Sequence, residues 1–452
     1  MTCGARNFIR YRENSSSAMC TARAHNKRAF EIHFQIMYGL LANYVGFYGL
    51  CTELGIAPGE IAKFLQGYDT KPLETDRELW RLTTAAREAG LGRIFAATSA
   101  DQLHQVLRTT GGPASGWLSQ LGDFLEKYGW RTEGICDVAL PSWVEDPTPA
   151  LGMIKTFLQQ DRTHDFDAAR AAAVEERETA VDAARSRLTT KEQRQFDGAL
   201  ASARAANFAW WNEDHDFYID LRSMLPLRWA SLHVAERFGC SRPDDTLFLF
   251  WPELIGLVTG ERPVHEFAGL IDARRQYYEH WRERRAEMPK VLGTVPESVT
   301  DPILVEVFGL NRGFLDAVCA DDEQTTTLTG VAASCGIARG PARVLHSADR
   351  LHLVQPGDVL VCESTSPNWT PAFAKIAACV CDGGGTLSHA AIVGREYRVP
   401  TVAAVGIATR AIRDGDEIEV DGTRGIVIVK RRSGSSDSKK KVVPAPPENA
   451  AT

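Results

Sequence analysis

The sequence predicts an α+β protein of several domains, in which a large, mainly α-helical region is followed by a compact, β-rich α/β region. Apolar residues recur at helical spacing from residue 29 to about residue 318, with almost no alternation of period two. Beyond about residue 320, short runs rich in Val and Ile alternate with Gly and Pro turns, which is typical of strands. A chain of 452 residues, 44% of them hydrophobic, can bury more than one core.

The same patterns predict the domain boundaries. Residues 1–25 have few periodic apolar positions and are expected to form a loose N-terminal arm, and residues 26–318 form the helical domain. A polar linker at 319–329 leads into the β-rich domain at 330–430. The tail at 431–452 is charged and rich in Pro and Ser, so we expect it to be disordered.

Composition argues against several classes of protein. With a net charge of −7, the chain has no global basic field that would attract nucleic acid. It has no apolar run long enough to cross a membrane, and its start lacks the core of a signal peptide. Its ten cysteines are scattered, and the closest two, Cys379 and Cys381, alternate across one strand, which suits neither a disulfide nor a zinc site. We therefore expect a cytoplasmic protein that binds neither nucleic acid nor membranes.

In the helical region, apolar spacing predicts a first helix from Ala29 to Glu53, ended by Gly55 and Pro58. Further helices are predicted at about 59–66, 74–89, 100–109, 115–128, 166–189 and 301–318.

A long loop at about residues 129–149 interrupts these helices and carries Trp130, Arg131 and Trp143. Long loops inside a helical domain often wall a functional pocket. The loop can also be a surface crossing whose aromatic side chains pack down onto the helices, and composition alone favours that interpretation.

A second long helix is predicted from 191 to about 239, bent near Pro226. One face of it mixes aromatic and charged side chains, at spacings of four, three and four residues: Trp211, His215, Tyr218 and Arg222. Glu213 lies close to this stripe. Such a stripe is either a satisfied buried polar network or the floor of a pocket for an aromatic ligand, and the residues alone leave both open.

The stretch from 382 to 402 carries the sharpest chemical signal. An apolar run ends at Cys381, three glycines and Thr-Leu-Ser follow, and His389 lies in the first turn of a predicted helix. A helix N-terminus holds anions and disfavours imidazolium, so the ring should stay neutral and nucleophilic. The surrounding turn would form a phosphate cradle from Gly384, Gly385, Thr386 and Ser388. For a lone histidine, the simpler explanation is a helix-start residue capped by its serine neighbour.

The β-rich domain resembles the swivelling phosphohistidine domain of the enzymes that use phosphoenolpyruvate (PEP). The matching motifs follow the family order: GVAAS at 330–334, GPARV at 340–344, PGDVLV at 356–361, TSPNWTP at 365–371, GGTLSHAAI at 384–392 and VPTV at 399–402. The resemblance implies that His389 is phosphorylated and dephosphorylated in turnover. Gly394, where many relatives have alanine, is a small departure.

The helical domain resembles the substrate domain of rifampicin phosphotransferases and related synthases, through residues 125–148 and the segment around Glu213. Relatives often carry histidine where this chain has Trp130, and arginine where it has Asn212, so those two roles do not carry over. The resemblance extends to the transferase subunit of phenylphosphate and alkylphenol phosphate synthases. We expect no room in this chain for an ATP-grasp domain, so the resemblance implies a separate ATP-grasp subunit that holds ATP and Mg²⁺, while this chain binds no cofactor tightly.

The resemblance implies transfer of the phosphoryl group from His389 to the hydroxyl of a phenol-like small molecule. His215 is the first choice for the base and Glu213 the second, and Arg131 and Arg222 would stabilise charge on the phosphoryl oxygens. An aromatic slot for the acceptor would come from Trp130, Trp143, Trp211 and Tyr218.

Three alternatives remain open. The acceptor can be a non-phenolic alcohol or an antibiotic hydroxyl, which changes only the pocket. The chain can be a phosphohistidine carrier that serves a protein acceptor. It can also be a non-catalytic remnant that scaffolds a complex, although the intact Thr-Leu-Ser-His sequence argues against loss of function.

Overall fold

The computed structural model describes residues 15–132, 137–159, 165–219, 222–284, 287–288, 290–320, 322–366 and 369–433. The predicted α+β class, a helical part followed by a compact α/β part, is confirmed. The helices of the first part are α1 (Ser15–Glu53), α2 (Pro58–Ile61), α3 (Lys71–Glu88), α4 (Gly92–Ala97), α5 (Ala100–Thr110), α6 (Pro113–Tyr128), α7 (Thr148–Leu158), α8 (Phe166–Ser186), α9 (Thr190–Ala205), α10 (Phe208–Tyr218), α11 (Leu225–Arg237), α12 (Trp251–Thr259), α13 (Ala268–Glu283), α14 (Pro302–Glu306) and α15 (Arg312–Ala320).

Three apolar cores hold these helices together. One joins α3 to α7 around the buried rings of Trp117 and Trp143. A second joins the middle of α1 to α9 and α10, and it includes Leu387 and Ile392 of the α/β part. A third joins the start of α1 to α11, α12 and α13. Each core forms because the helices bury one apolar stripe against their neighbours.

The first helix begins earlier than the sequence predicts. Residues 15–25, assigned to the loose arm, are the first turns of α1, where Met19 and Ala22 are buried in the third core. Tertiary packing therefore sets this helix start. Residues 1–14, the rest of the predicted arm, lie outside the described residues.

The single helix predicted over 191–239 is three helices. The first break lies at Asn207, whose side chain accepts a hydrogen bond from the Trp210 N–H at 3.2 Å and donates to the Leu65 carbonyl at 3.2 Å. A second break precedes α11, where Pro226 occupies the first turn, a position that needs no intrahelical N–H donor. Proline therefore starts a helix here instead of bending one.

The α/β part is built on one eight-stranded sheet, in the order β1-β8-β7-β3-β4-β5-β6-β2. Strands β3, β4, β5 and β6 run parallel, and the other pairs are antiparallel. The strands are β1 (Thr327–Thr329), β2 (Val331–Ser334), β3 (Ile337–Leu345), β4 (Val359–Cys362), β5 (Ala378–Cys381), β6 (Thr401–Ala403), β7 (Glu417–Asp421) and β8 (Ile426–Arg431). The short helices are α16 (Thr370–Phe373), α17 (His389–Glu396) and α18 (Ala408–Ala411).

The two central strands explain where the turn before α17 lies. Every residue of β4 and β5 is buried, because helices cover both faces, and their sequences VLVC and ACVC are accordingly continuous apolar runs. Parallel strands bring their carboxyl ends to one edge of the sheet, where ligand sites usually form. The loops after Cys362 and Cys381 therefore lie side by side at that edge.

Two predicted boundaries fall on regular structure. The predicted linker at 319–329 contains the end of α15 and strand β1, and its position as a hinge stays a prediction. Strand β8 continues to Arg431, so the first residue assigned to the tail belongs to the sheet. Residues 434–452 lie outside the described residues. In the described part of the chain, every helix is too short or too polar to cross a membrane.

Candidate functional site

His389 is the first residue of α17, as the sequence predicts. Strand β5 ends at Cys381, and the glycine turn carries the chain to Ser388. The Ser388 hydroxyl accepts a hydrogen bond from the Ala391 N–H at 3.4 Å, which caps the helix. His389 therefore sits at a capped helix N-terminus, at the carboxyl edge of the sheet.

Two threonines contact the two ring nitrogens of His389. Thr365 Oγ1 lies 2.8 Å from Nδ1, and Thr370 Oγ1 lies 3.2 Å from Nε2. One hydroxyl accepts from the protonated nitrogen and the other donates to the unprotonated one, so the pair fixes the ring plane, and either tautomer satisfies both contacts. Both threonines follow β4, the neighbouring parallel strand. Both belong to the 365–371 motif, but the sequence alone assigns them no role. Two other members of that motif, Pro367 and Asn368, lie outside the described residues.

The ring of His389 is held in its neutral form. Burial lowers the pKa of His389, and the positive charge of Arg131 lowers it further, to about 3. The sequence also predicts a neutral ring, but on the ground of the helix N-terminus alone. A buried site beside a cation is a stronger reason, because both effects disfavour imidazolium. At neutral pH one ring nitrogen of His389 is therefore unprotonated.

Arg131 is a residue of the helical domain whose charge acts on His389. Its side chain is almost fully buried, and its guanidinium carbon lies 4.4 Å from the centre of the Trp143 ring. A backbone hydrogen bond of 3.0 Å, donated by the Trp143 N–H to the Arg131 carbonyl, ties the two ends of the predicted loop. The loop thus presents Arg131 to the site while Trp143 packs into the core of α3 to α7.

A second polar pair crosses the domain boundary beside Arg131. The Tyr397 hydroxyl donates a hydrogen bond of 2.8 Å to Asp76 Oδ2. Burial raises the pKa of Asp76 to about 7, although this hydrogen bond and the charge of Arg131 both lower it. Sequence reasoning missed both residues. A carboxylate on one predicted helix and a tyrosine more than 300 positions later leave no local pattern.

The aromatic stripe forms a second cluster, on α10. Trp211 stacks on His215 with 4.4 Å between ring centres, and His215 stacks on His33 of α1 at 5.1 Å. Burial and the charge of His33 lower the pKa of His215 to about 4. Among the described residues, no hydrogen-bond partner reaches the buried Nε2 atom of His215. The stripe therefore contains a neutral imidazole with one nitrogen that can take a proton.

The remaining predicted pocket residues lie in different surroundings. Tyr218 is 45% exposed, and the Arg222 guanidinium lies 5.6 Å from its ring. Trp130 packs edge-on against Trp229 of α11, with 5.3 Å between ring centres. Glu213 belongs to α10, but its side chain lies outside the described residues. The predicted slot is thus distributed over two clusters, and its role as one slot stays a prediction.

The backbone N–H groups of the predicted phosphate cradle form hydrogen bonds with another segment of the chain in this conformation. The N–H groups of Gly384 and Gly385 donate to the carbonyls of Phe308 and Val307, at 2.8 and 3.0 Å. A Cβ atom on Gly385 would lie 2.3 Å from the Glu306 carbonyl oxygen, so glycine is required for this close approach.

The two hydroxyls assigned to the cradle are engaged as well. Thr386 Oγ1 donates to Glu306 Oε2 at 2.5 Å, and Ser388 Oγ donates to the Gly385 carbonyl at 2.9 Å. The predicted role of this turn in holding phosphate therefore requires segment 305–308 to withdraw.

A crevice of about 920 Å³ lies between the domains and was not predicted from the sequence. Its walls come from α1 and α8 on one side and from β2 and α17 on the other, and they include Tyr44, Tyr48, Lys63, Thr386 and Arg395. The described residues that line it do not include His389.

One group of side chains has the donor atoms for a soft metal. The thiols of Cys362, Cys379 and Cys381 lie within 4.8 Å of one another, because the sheet register places Cys362 beside Cys381. The expectation that Cys379 and Cys381 alternate across the strand is wrong, since residues two apart share one face, and their Sγ atoms lie 3.7 Å apart. All three are buried in the apolar core under α16 and α17, where small apolar side chains would pack equally well. The absence of a tightly bound cofactor stays a prediction.

Comparisons with known proteins agree with this geometry. Residues 31–213 match the model of the rifampicin phosphotransferase fourth domain, and residues 354–425 match the mobile domain of PEP-utilising enzymes. The chain belongs to the PEP-utilising enzyme family. The first match includes His33 and Trp211 but ends before His215, and the second match includes the His389 site.

Three relatives illustrate how identity and coverage vary among the similar proteins. Chondramide synthase cmdD of Chondromyces crocatus is 31% identical over 92% of this chain and 11% of its own length. The uncharacterized phosphotransferase YvkC of Bacillus subtilis is 31% identical over 93% of this chain and 50% of its own length. A rifampicin phosphotransferase of Streptomyces sp. is 30% identical over 67% of this chain and 33% of its own length. The chain thus spans half or less of the length of these relatives.

Proposed function

We propose that this chain is a phosphotransferase that carries a phosphoryl group on a ring nitrogen of His389 and passes it to a small-molecule hydroxyl. The observation that carries the proposal is a buried, neutral imidazole, held through both nitrogens by Thr365 and Thr370 and facing the charge of Arg131. A nucleophile of this kind needs a bare nitrogen and a cation near the incoming phosphoryl oxygens, and this site has both. The phosphotransferases among the relatives support the same assignment.

In the proposed transfer, the acceptor oxygen attacks phosphorus while the phosphorus–nitrogen bond to His389 breaks. The bonding electron pair returns to the ring nitrogen, and the acceptor proton passes to a base. His215 is the proposed base, because its pKa of about 4 keeps it unprotonated at neutral pH. Arg131 would stabilise the charge that develops on the phosphoryl oxygens.

We propose a phenol-like acceptor. A phenol loses its proton more readily than an alcohol does, so it suits a base as weak as His215. The stacked ring of Trp211 and the exposed ring of Tyr218 would contact an aromatic substrate.

A second candidate acceptor is an alcohol or antibiotic hydroxyl, and the names of the rifampicin phosphotransferases among the relatives favour it. A panel of phenols, aliphatic alcohols and rifamycin-type hydroxyls, each tested with the phosphorylated chain, distinguishes the two. Product formed only from phenols supports the first candidate, and product formed only from the others excludes it.

We propose that the phosphoryl donor site belongs to a separate ATP-grasp subunit, which binds ATP with Mg²⁺ and transfers its β-phosphoryl group to His389, releasing AMP and phosphate. The resemblance to the transferase subunits of phenylphosphate and alkylphenol phosphate synthases supports this arrangement. His389 would then alternate between two positions. The present position faces Arg131 of the helical domain, and leaving it requires the hydrogen bonds to segment 306–308 to break.

The central claim is tested by phosphorylating the chain with β-³²P-labelled ATP and an ATP-grasp protein, or with phosphoramidate, which needs no protein donor. The label should be acid-labile and stable to base, as phosphohistidine is, and His389→Ala should remove it. His346→Ala is the matched control, because His346 lies in the same domain and is part-exposed. Label retained by His389→Ala would exclude the proposal. Loss of label from ATP alone, with phosphoramidate labelling intact, would point to the wrong partner.

A further inference from the structure

Helix α1 carries a seam of exposed residues along its outer face. Their spacing alternates between four and three residues, which is the heptad spacing of helices that pack along their length. We call this set the outer seam: Arg28, Ile32, Gln35, Gly39, Ala42, Gly46, Gly49 and Glu53. All eight are exposed, and with a rise of about 1.5 Å per residue the seam is roughly 38 Å long.

The outer seam is flanked by large apolar side chains that are also exposed. Ile36 is 41% exposed, Tyr38 52% and Val45 40%. The opposite face of α1 is apolar too, since Met37, Leu41 and other residues there are buried in the second core. Exposed apolar side chains on the face of a helix that lies opposite its buried face usually mark an interface.

The glycines of the seam are not required by packing within the described part of their own chain. Glycine is among the least favourable residues inside a helix. Nevertheless, α1 has glycine at positions 39, 46 and 49, and nothing lies within 4 Å of a Cβ atom added at any of them. Their common property is therefore to let another backbone approach closely.

We propose that the outer seam is the interface with a second copy of this chain, and that the two α1 helices pack antiparallel across a two-fold axis. In one register, residues whose numbers sum to 81 face each other. Ile32 then packs on Gly49 of the second copy, Gln35 on Gly46, and Gly39 on Ala42. The ends match by charge, since Arg28 faces Glu53 of the second copy.

This register is why we choose a second copy over another partner. The seam complements itself, large against small and cation against anion, and two-fold symmetry repeats each pair. A parallel pair would place Arg28 against Arg28 and glycine against glycine, which leaves repulsion and voids. A different protein would not require the seam to match its own reverse.

The first test is the oligomeric state of the 452-residue chain, measured by light scattering and sedimentation velocity over a concentration series. We expect a dimer, and Gly46→Leu should raise the dissociation constant at least about tenfold, because leucine would collide with Gln35 of the second copy. The same variant should keep or raise the melting temperature, since its own helix has room and leucine favours helices. Gly122→Leu, at an exposed glycine with open space inside α6, should leave the dimer unchanged.

The second test is a charge exchange. Arg28→Glu and Glu53→Arg should each weaken the dimer severalfold, and the double variant should restore it. Lys27→Glu is the control, because Lys27 and Arg28 both pair with Glu31 within one copy, at 3.8 and 3.2 Å, but only Arg28 lies on the seam. A monomer at every concentration, a dimer that tolerates Gly46→Leu, or a double variant as weak as the single ones would each overturn the proposal. Those results would assign the seam to another protein or to no interface.

Discussion

Two histidines, one in each part of the molecule, are both neutral but are held in different ways. Both nitrogens of His389 contact hydroxyl groups, and the ring faces the cation Arg131. His215 packs against the rings of Trp211 and His33, and its Nε2 atom has no hydrogen-bond partner within the described structure. The first arrangement fixes a ring for covalent chemistry. The second leaves a nitrogen that can take a proton, and this contrast is the basis on which we propose His389 as the carrier and His215 as the base.

The largest effect should come from removing the cation beside the first histidine. Arg131→Met should slow phosphoryl transfer from His389 by about 100-fold to 1,000-fold, the usual loss when one preorganised charge is removed. It should also raise the pKa of His389, because the positive charge of Arg131 lowers it. Single-turnover decay of the phosphorylated chain measures the rate, and NMR titration measures the pKa.

Arg131→Lys is the control for charge, and it should keep much of the rate while losing the planar contact with Trp143. An unchanged rate in a folded Arg131→Met variant would show that the charge of Arg131 has no role in transfer. The proposed difference between the two histidines would then be lost.

The second histidine should have a smaller effect on the same reaction. His215→Gln should slow transfer to a phenol by about 100-fold, near the lower end for a general base, because a phenol needs less help to lose its proton. The loss of rate caused by His215→Gln should be smaller for acceptors whose hydroxyl has a lower pKa. A rate that is independent of this substitution at every pH would show that the base lies elsewhere, and Glu213→Gln would then be the next variant to measure.

How far the sequence predicts this structure depends on how local the signal is. His389 was found because strand, glycines, cap and helix lie within one short stretch. The break of the long helix at Asn207 was missed because it rests on a hydrogen bond to Leu65, which only the folded chain brings near.

The neighbours of His389 follow the same rule. Thr365 and Thr370 reach the ring through the register of two parallel strands, and Asp76 reaches Tyr397 across the domain boundary. The turn before His389 was predicted to hold phosphate, whereas its N–H groups bind segment 306–308 here. No periodicity in the sequence encodes such contacts.

A smaller effect should come from the two threonines that hold His389. Thr365→Val and Thr370→Val should each slow phosphorylation by roughly fivefold, since a lost hydrogen bond costs about 1 kcal/mol. Thr365→Ser and Thr370→Ser should restore the rate, because they keep the hydroxyl. A purely structural role predicts a loss of melting temperature in the valine variants with no change in the ratio of the two imidazole tautomers, which ¹⁵N NMR reports directly.

The smallest effect concerns the contact between the two parts of the molecule. Burial raises the pKa values of Asp76 and Glu396, each to about 7, and both carboxyl groups bond across the boundary, to Tyr397 and to the Gly67 N–H. Because the docked pKa lies above that of a solvated carboxyl, the docked state binds more protons. Its stability is greatest below about pH 4 and falls as pH rises towards 7.

Small-angle scattering at pH 5 and pH 8 should therefore show a more open molecule at pH 8. Asp76→Asn with Glu396→Gln should flatten this dependence, while Asp414→Asn, at an exposed carboxyl of the same sheet edge, should not. A double variant as pH-dependent as the natural chain would mean that other groups control the docking of His389.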